Sequence, residues 1–178
     1  MTHAASPNRR TGRPFQSFTL AEPHRTPGLL VHVGYAATRR GVPASRSFRR
    51  WTEAALFGAR HRKPAELSIR IVGTREGRVL NHRYRDKDYA TNVLSFATEL
   101  PRGITSPLLG DLVICAPVVA HEAREQGKPM HDHYAHLTVH GVLHLLGHDH
   151  QNERDAARME ALETRILASL GIADPYSS

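Results

Sequence analysis

The chain has 178 residues, 40% of them apolar, and a formal net charge of +7. That length suits one domain with a substantial core, no apolar run approaches the ~18 residues of a membrane span, and the single cysteine, Cys115, excludes an intramolecular disulfide. The charge is lopsided: residues 1–50 carry nine Arg and one acid, Glu22, a net +8, whereas residues 51–178 carry 15 Arg and Lys against 16 Asp and Glu, a net −1.

Residues 1–28 read as a disordered basic extension and residues 29–178 as one folded domain. The leader has no apolar stretch of the secretory kind, and Pro7, Pro14, Pro23 and Pro27 oppose the amphipathic helix that an organellar transit peptide needs. A cytoplasmic protein is expected. Such a tail suits nucleic acid or an anionic surface. A solvated tail in a chain with 21 Arg and 3 Lys is the alternative.

Strands and helices then alternate. "LLVHVGY", 29–35, is a strand; "SRSFRRWTEAALFGARH", 45–61, has a helical apolar rhythm behind Ser45 as candidate N-cap. "ELSIRIVG", 66–73, alternates as a half-buried strand, and 74–84 is a helix with Thr74 as its expected cap. "NVLSFAT" and "GDLVICA" are two further strands, the second burying Cys115. A helix opens at Pro117 and closes on Gly127. Another spans about 130 to 146 and ends at Gly147. The last, 153–170, spaces Met159, Leu162, Ile166 and Leu170 by three or four. Four strands and about five helices make an α+β domain.

"HGVLHLLGHDH", 140–150, carries the chemistry. His140 and His144, four apart on a helix, can present two imidazoles to one metal. A third ligand further along that helix would diverge, but Gly147 permits a left-handed turn that returns His150 to the ion. This is the ligand spacing of the metzincin zinc site, H-E-x-x-H-x-x-G-x-x-H, with Gly141 where the general-base Glu would stand. Three protein ligands and an open fourth position are the catalytic form of zinc. Eight of 13 histidines follow residue 120, so a merely His-rich helix is the competing reading. His148 is a second choice for third ligand. His136 shares the face of the pair as an outer-layer donor or core residue, whereas His121, His131 and His133 are expected in solvent. Asp149 either orients a ligand or forms a turn. A site without a carboxylate base suits a phosphodiester, whose developing negative charge calls for cations. Arg83, Arg85 and Lys87, interleaved with Tyr84 and Tyr89, are the candidates.

Three blocks, "LNHRYRDKDYATNVLSFA", "LGDLVICAPVVAHEA" and "HLTVHGVLHLLGHDH", together resemble the YbeY family of single-strand metallo-endoribonucleases, over roughly residues 29–170. Ala90 and Ala97 stand where that family often has proline, and His148 where it often has tyrosine. The resemblance implies a mixed, mostly four-stranded sheet with a zincin-like metal site. It also implies one zinc ion per chain on His140, His144 and His150, and Arg85 as a residue required for activity. Its implied substrate is single-stranded RNA, in maturing the 3′ end of small-subunit ribosomal RNA and in quality control on ribosomal particles. Two other readings stay open. One is a zinc peptidase or amidase whose base is Glu122 or Asp111. The other is a non-catalytic RNA-binding assembly factor whose zinc only holds the fold.

Overall fold

The computed structural model describes residues 26–148 and 152–177. Residues 1–25, most of the expected basic extension, lie outside the described residues, as do Asp149 and His150. The element order is β1 (Leu29–Tyr35), α1 (Ser45–Gly58), β2 (Ala65–Val72), α2 (Thr74–Arg85), β3 (Val93–Ala97), β4 (Leu108–Cys115), α3 (Ala116–Glu125), α4 (Met130–Leu145) and α5 (Glu153–Ser169).

The sheet has four strands in the order β1-β2-β4-β3. β1, β2 and β4 run parallel, and β3 lies antiparallel on the β4 edge, so the sheet is mixed as expected. Because successive side chains alternate between faces, β2, β3 and β4 feed two cores, while β1 feeds the main one. Leu67, Ile69, Ile71, Leu112 and Ile114 join the main core with Phe48, Trp51 and Leu56 of α1 and Tyr134 and Leu143 of α4. Val72, Leu94, Val113 and Cys115 form a smaller cluster with Leu80 of α2 on the opposite face. Helices α1, α4 and α5 therefore cover one face, and α2 part of the other.

Two glycines make this sheet and its helix compatible. Gly110 has φ +140°, and a Cβ there would fall 2.0 Å from the carbonyl oxygen of Phe96. It sits where β4 shifts register against β2, a bulge that only a residue without a side chain can fill. At Gly141 the constraint is packing: a Cβ would stand 2.8 Å from Leu112 Cδ2 and 3.3 Å from Ser95 Oγ, so α4 lies directly on β3 and β4.

Helix α4 is buried on nearly every side, touching α1, α3, α5, β3 and β4. Its apolar residues pack into the core, and its histidines line one face. The cap expectations need correction: Ser45 and Thr74 are the first helical residues, and Ala44 and Gly73 hold the cap positions without side-chain bonds. Each helix starts one residue earlier than expected, so both hydroxyl residues are already in helical φ/ψ, past the extended position that a cap requires. Asn152 does cap α5, accepting from the Asp155 N–H. No described helix is long and apolar enough to cross a membrane.

Candidate metal centre

Along α4, His133, His136, His140 and His144 follow one another at steps of three or four, so they share a face. Neighbouring rings in this row are 6.2, 6.1 and 4.6 Å apart between centroids. The last pair converges, with the Nε2 atoms of His140 and His144 3.0 Å apart. Two nitrogen ligands each ~2.0–2.1 Å from a tetrahedral ion stand roughly 3.3 Å apart, so the pair fits zinc with a small adjustment. Gly147 adopts φ +87°, the left-handed turn expected after the helix. His150, the expected third ligand, lies outside the described residues.

His140 is held from behind. Its Nδ1 lies 2.6 Å from Oε1 of Glu163, a fully buried carboxylate on α5. The other Glu163 oxygen accepts from the Tyr176 hydroxyl, and His136 Nε2 stands 3.9 Å from it. Burial alone pushes the Glu163 carboxyl up, but His136, His140 and the Tyr176 hydroxyl outweigh it and hold it at about 2. The carboxylate is therefore ionised, and Nδ1 of His140 donates to it, which leaves Nε2 as the ligating atom. Ligand atoms of His136, His140 and Glu163 all lie within 4.8 Å of one another, so the metal-capable groups extend across this layer too.

Sequence reasoning missed Glu163 and Tyr176. Glu163 had a signal: an acid four residues after Met159 and three before Ile166, inside the apolar stripe of α5. His133, expected in solvent, is instead buried, its Nε2 2.8 Å from Glu122 Oε2. The position seven residues before His140 places it on the same inward face. His121 and His131 are exposed, as expected. His136 touches the carboxylate layer, as an outer-layer residue should.

Of the two bases that a peptidase could borrow, Glu122 is engaged elsewhere and Asp111 lies on the other face of its strand from Leu112. Glu122 accepts from Asn92 Nδ2 at 3.0 and 3.2 Å besides its His133 contact. Asp111 is exposed on the β4 face opposite Leu112, the residue under Gly141. Gly141 itself faces the sheet, where no carboxylate fits.

Arg85 ends α2, ahead of Asp86 in the left-handed conformation. Its side chain makes no hydrogen bond or ion pair with another described residue, and Asp88, three residues on, is held bidentately by Arg78 at 2.7 Å. Tyr84 and Tyr89 are exposed beside it, and Tyr84 stacks edge-on against Phe96 at 4.8 Å. No described contact joins Arg85 to the histidines, and α2 packs on the face away from α4.

The model of the family described as Endoribonuclease YbeY matches residues 38–171. The chain belongs to the YbeY family. It is 61% identical over 153 residues to the "Endoribonuclease YbeY" of Stenotrophomonas maltophilia strain K279a, covering 84% of this chain and 94% of that protein. The YbeY of Alkalilimnicola ehrlichii is also 61% identical, with 84% and 92% covered. A Thermotoga maritima protein solved in solution shares the fold, with TM-score 0.52 at 17% identity over 84% of this chain and all of that one.

Proposed function

We infer that this chain is a metal-dependent endoribonuclease that cuts single-stranded RNA with one zinc ion held by His140, His144 and His150. Its substrate is ribosomal RNA, at the 3′ end of the small-subunit RNA, acted on in the cytoplasm and on ribosomal particles. The observation that carries the reading is the converging Nε2 pair of His140 and His144, backed by a buried carboxylate on His140 Nδ1. YbeY relatives at 61% identity, each called an endoribonuclease, supply the reaction class.

Zinc, when bound, supplies a Lewis acid for the phosphoryl oxygen and water made acidic enough to attack near neutral pH. The chain's own part is positional. Glu163 fixes which nitrogen of His140 is available. Gly141 lets the helix that carries the histidines lie directly on Leu112 and Ser95 of the sheet. Arg85, with no acid among the described residues to neutralise it, offers a planar pair of donors to phosphate. Exposed Tyr84 and Tyr89 offer faces on which single-stranded bases can stack.

The test is His144→Ala. Two remaining imidazoles hold zinc poorly, so the purified variant should contain no stoichiometric zinc and should not cleave a single-stranded RNA that the wild type cuts. Unchanged zinc content removes the ligand assignment. Metal-dependent cleavage of casein, with RNA left intact, returns the peptidase reading.

A further inference from the structure

We propose that Glu163 and Tyr176 are positioning residues of the metal centre, with the segment 174–176 clamping the Glu163 carboxylate so that it sets the tautomer and tilt of His140. The inference rests on the reading that His140 and His144 hold zinc.

A buried carboxylate is costly unless every lone pair is used. Glu163 has no exposure and sits on the apolar side of α5. Its two oxygens do different work. Oε1 accepts a hydrogen bond from His140 Nδ1, and Oε2 accepts one from the Tyr176 hydroxyl. With Nδ1 committed, the lone pair of His140 must lie on Nε2, the atom that faces His144.

Glu163 could instead be a ligand, since it groups with His136 and His140. The spacing argues otherwise. Its Oε1 is 2.6 Å from Nδ1, the length of a charge-assisted hydrogen bond with a proton between the atoms. Two atoms on one tetrahedral ion stand roughly 3.3 Å apart.

Tyr176 is brought to this point by several independent ties. Its N–H donates to Asp174 Oδ1 at 3.0 Å, and the Thr164 hydroxyl of α5 donates to the same oxygen at 3.2 Å. Lys128, in the turn between α3 and α4, donates to the carbonyl of Pro175. The phenol ring lies edge-on to His136 at 5.6 Å. An otherwise half-exposed tyrosine thus has its hydroxyl directed inward, and burial with the Glu163 contact raises the phenol above its ordinary range. The tail is stapled to both helices that frame the site.

The experiment uses the full chain, stripped of metal, with zinc affinity measured by competition against a chromophoric chelator. The variants are His144→Ala, Glu163→Ala, Glu163→Gln, Tyr176→Phe and the double variant Glu163→Ala/Tyr176→Phe. Losing an outer-layer partner of a metal-bound histidine typically weakens affinity about 10–100-fold. Glu163→Ala should fall in that range, and Tyr176→Phe near its lower end. Glu163→Gln should bind more tightly than Glu163→Ala, because the amide oxygen still accepts from Nδ1. The double variant should match Glu163→Ala, because Tyr176 acts through Glu163. Metal-free Tyr176→Phe should melt somewhat lower than wild type, because it leaves one Glu163 oxygen unpaired. The positioning role is therefore read from zinc affinity at a temperature where both proteins are fully folded, which a merely structural tyrosine would leave unchanged. If Glu163→Gln and Glu163→Ala lose zinc as completely as His144→Ala, Glu163 is a ligand and the proposal falls. Wild-type affinity in Tyr176→Phe overturns the clamp, even if Glu163→Ala does not fold. Wild-type affinity in His144→Ala instead overturns the zinc assignment beneath it.

Discussion

In the proposed function, Arg85 is the residue whose role would depend most on chemistry and least on packing. It lacks an internal acid partner among the described residues, so its removal should leave the fold untouched. Arg85→Ala is expected to keep its zinc and its melting temperature while kcat on single-stranded RNA drops ~10²–10³-fold, the usual cost of one preorganised donor aimed at transition-state charge. Arg85→Lys should recover little of that loss, since lysine lacks the planar fork. Steady-state kinetics with zinc analysis on the same preparation check both; near-wild-type kcat in Arg85→Ala would move the role to Arg83 or Lys87. Glu163 gives a second test, through pH. Its folded carboxyl is held at about 2, below the ordinary 4.5. A depressed carboxylate contributes stability that is present above the unfolded value and lost as pH falls through the folded one. Metal-free wild type should therefore exceed Glu163→Gln by up to about 3 kcal/mol above pH ~4.5, with the gap closing towards pH 2. Urea unfolding of both proteins across that window measures it, and a gap independent of pH would contradict the ionised assignment.

At the scale of elements, the join between β3 and β4 hangs on Gly110. Any side chain there meets the Phe96 carbonyl at 2.0 Å, and the backbone conformation is itself unfavourable for other residues. Gly110→Ala should cost at least ~3 kcal/mol, combining strain with forced displacement of β3. Chemical denaturation reads the loss, and exchange of the β3 amides should rise with it. The elements themselves were largely legible in sequence: β1 spans 29–35 as expected, and α4 and α5 end within a residue of expectation. Local periodicity suffices for that. The histidine pair was legible for the same reason, since helical spacing alone places His140 beside His144. What spacing cannot carry is contact between distant segments. Glu163 meets His140 across 23 residues and Tyr176 across 13, and no local pattern encodes either meeting. His133 was misjudged because its solvent-like neighbours, His131 and Asp132, masked its inward phase. Nor does any motif say that α2, bearing Arg85, covers the other face of the sheet from α4.

For the whole molecule, the charge division of the sequence sets one expectation. The first 50 residues hold the entire basic excess, while the remainder is nearly neutral. If residues 1–25 reach RNA, deleting them should weaken binding modestly and flatten the slope of log affinity against log salt, because fewer counterions are released. Filter binding at several salt concentrations decides it; an unchanged slope makes the leader a bystander. A different consequence follows from the enclosure of α4 by three helices and two strands. Hydrogen exchange in a folded protein proceeds through local openings where contacts are few, and through complete unfolding where they are dense. The amides around residues 135–143 have no local route out, so they should be the last in the molecule to take up deuterium. The stretch of α4 that carries His140 is then as persistent as the native state, whereas His144, in the last turn, keeps its place only as long as that helix end does.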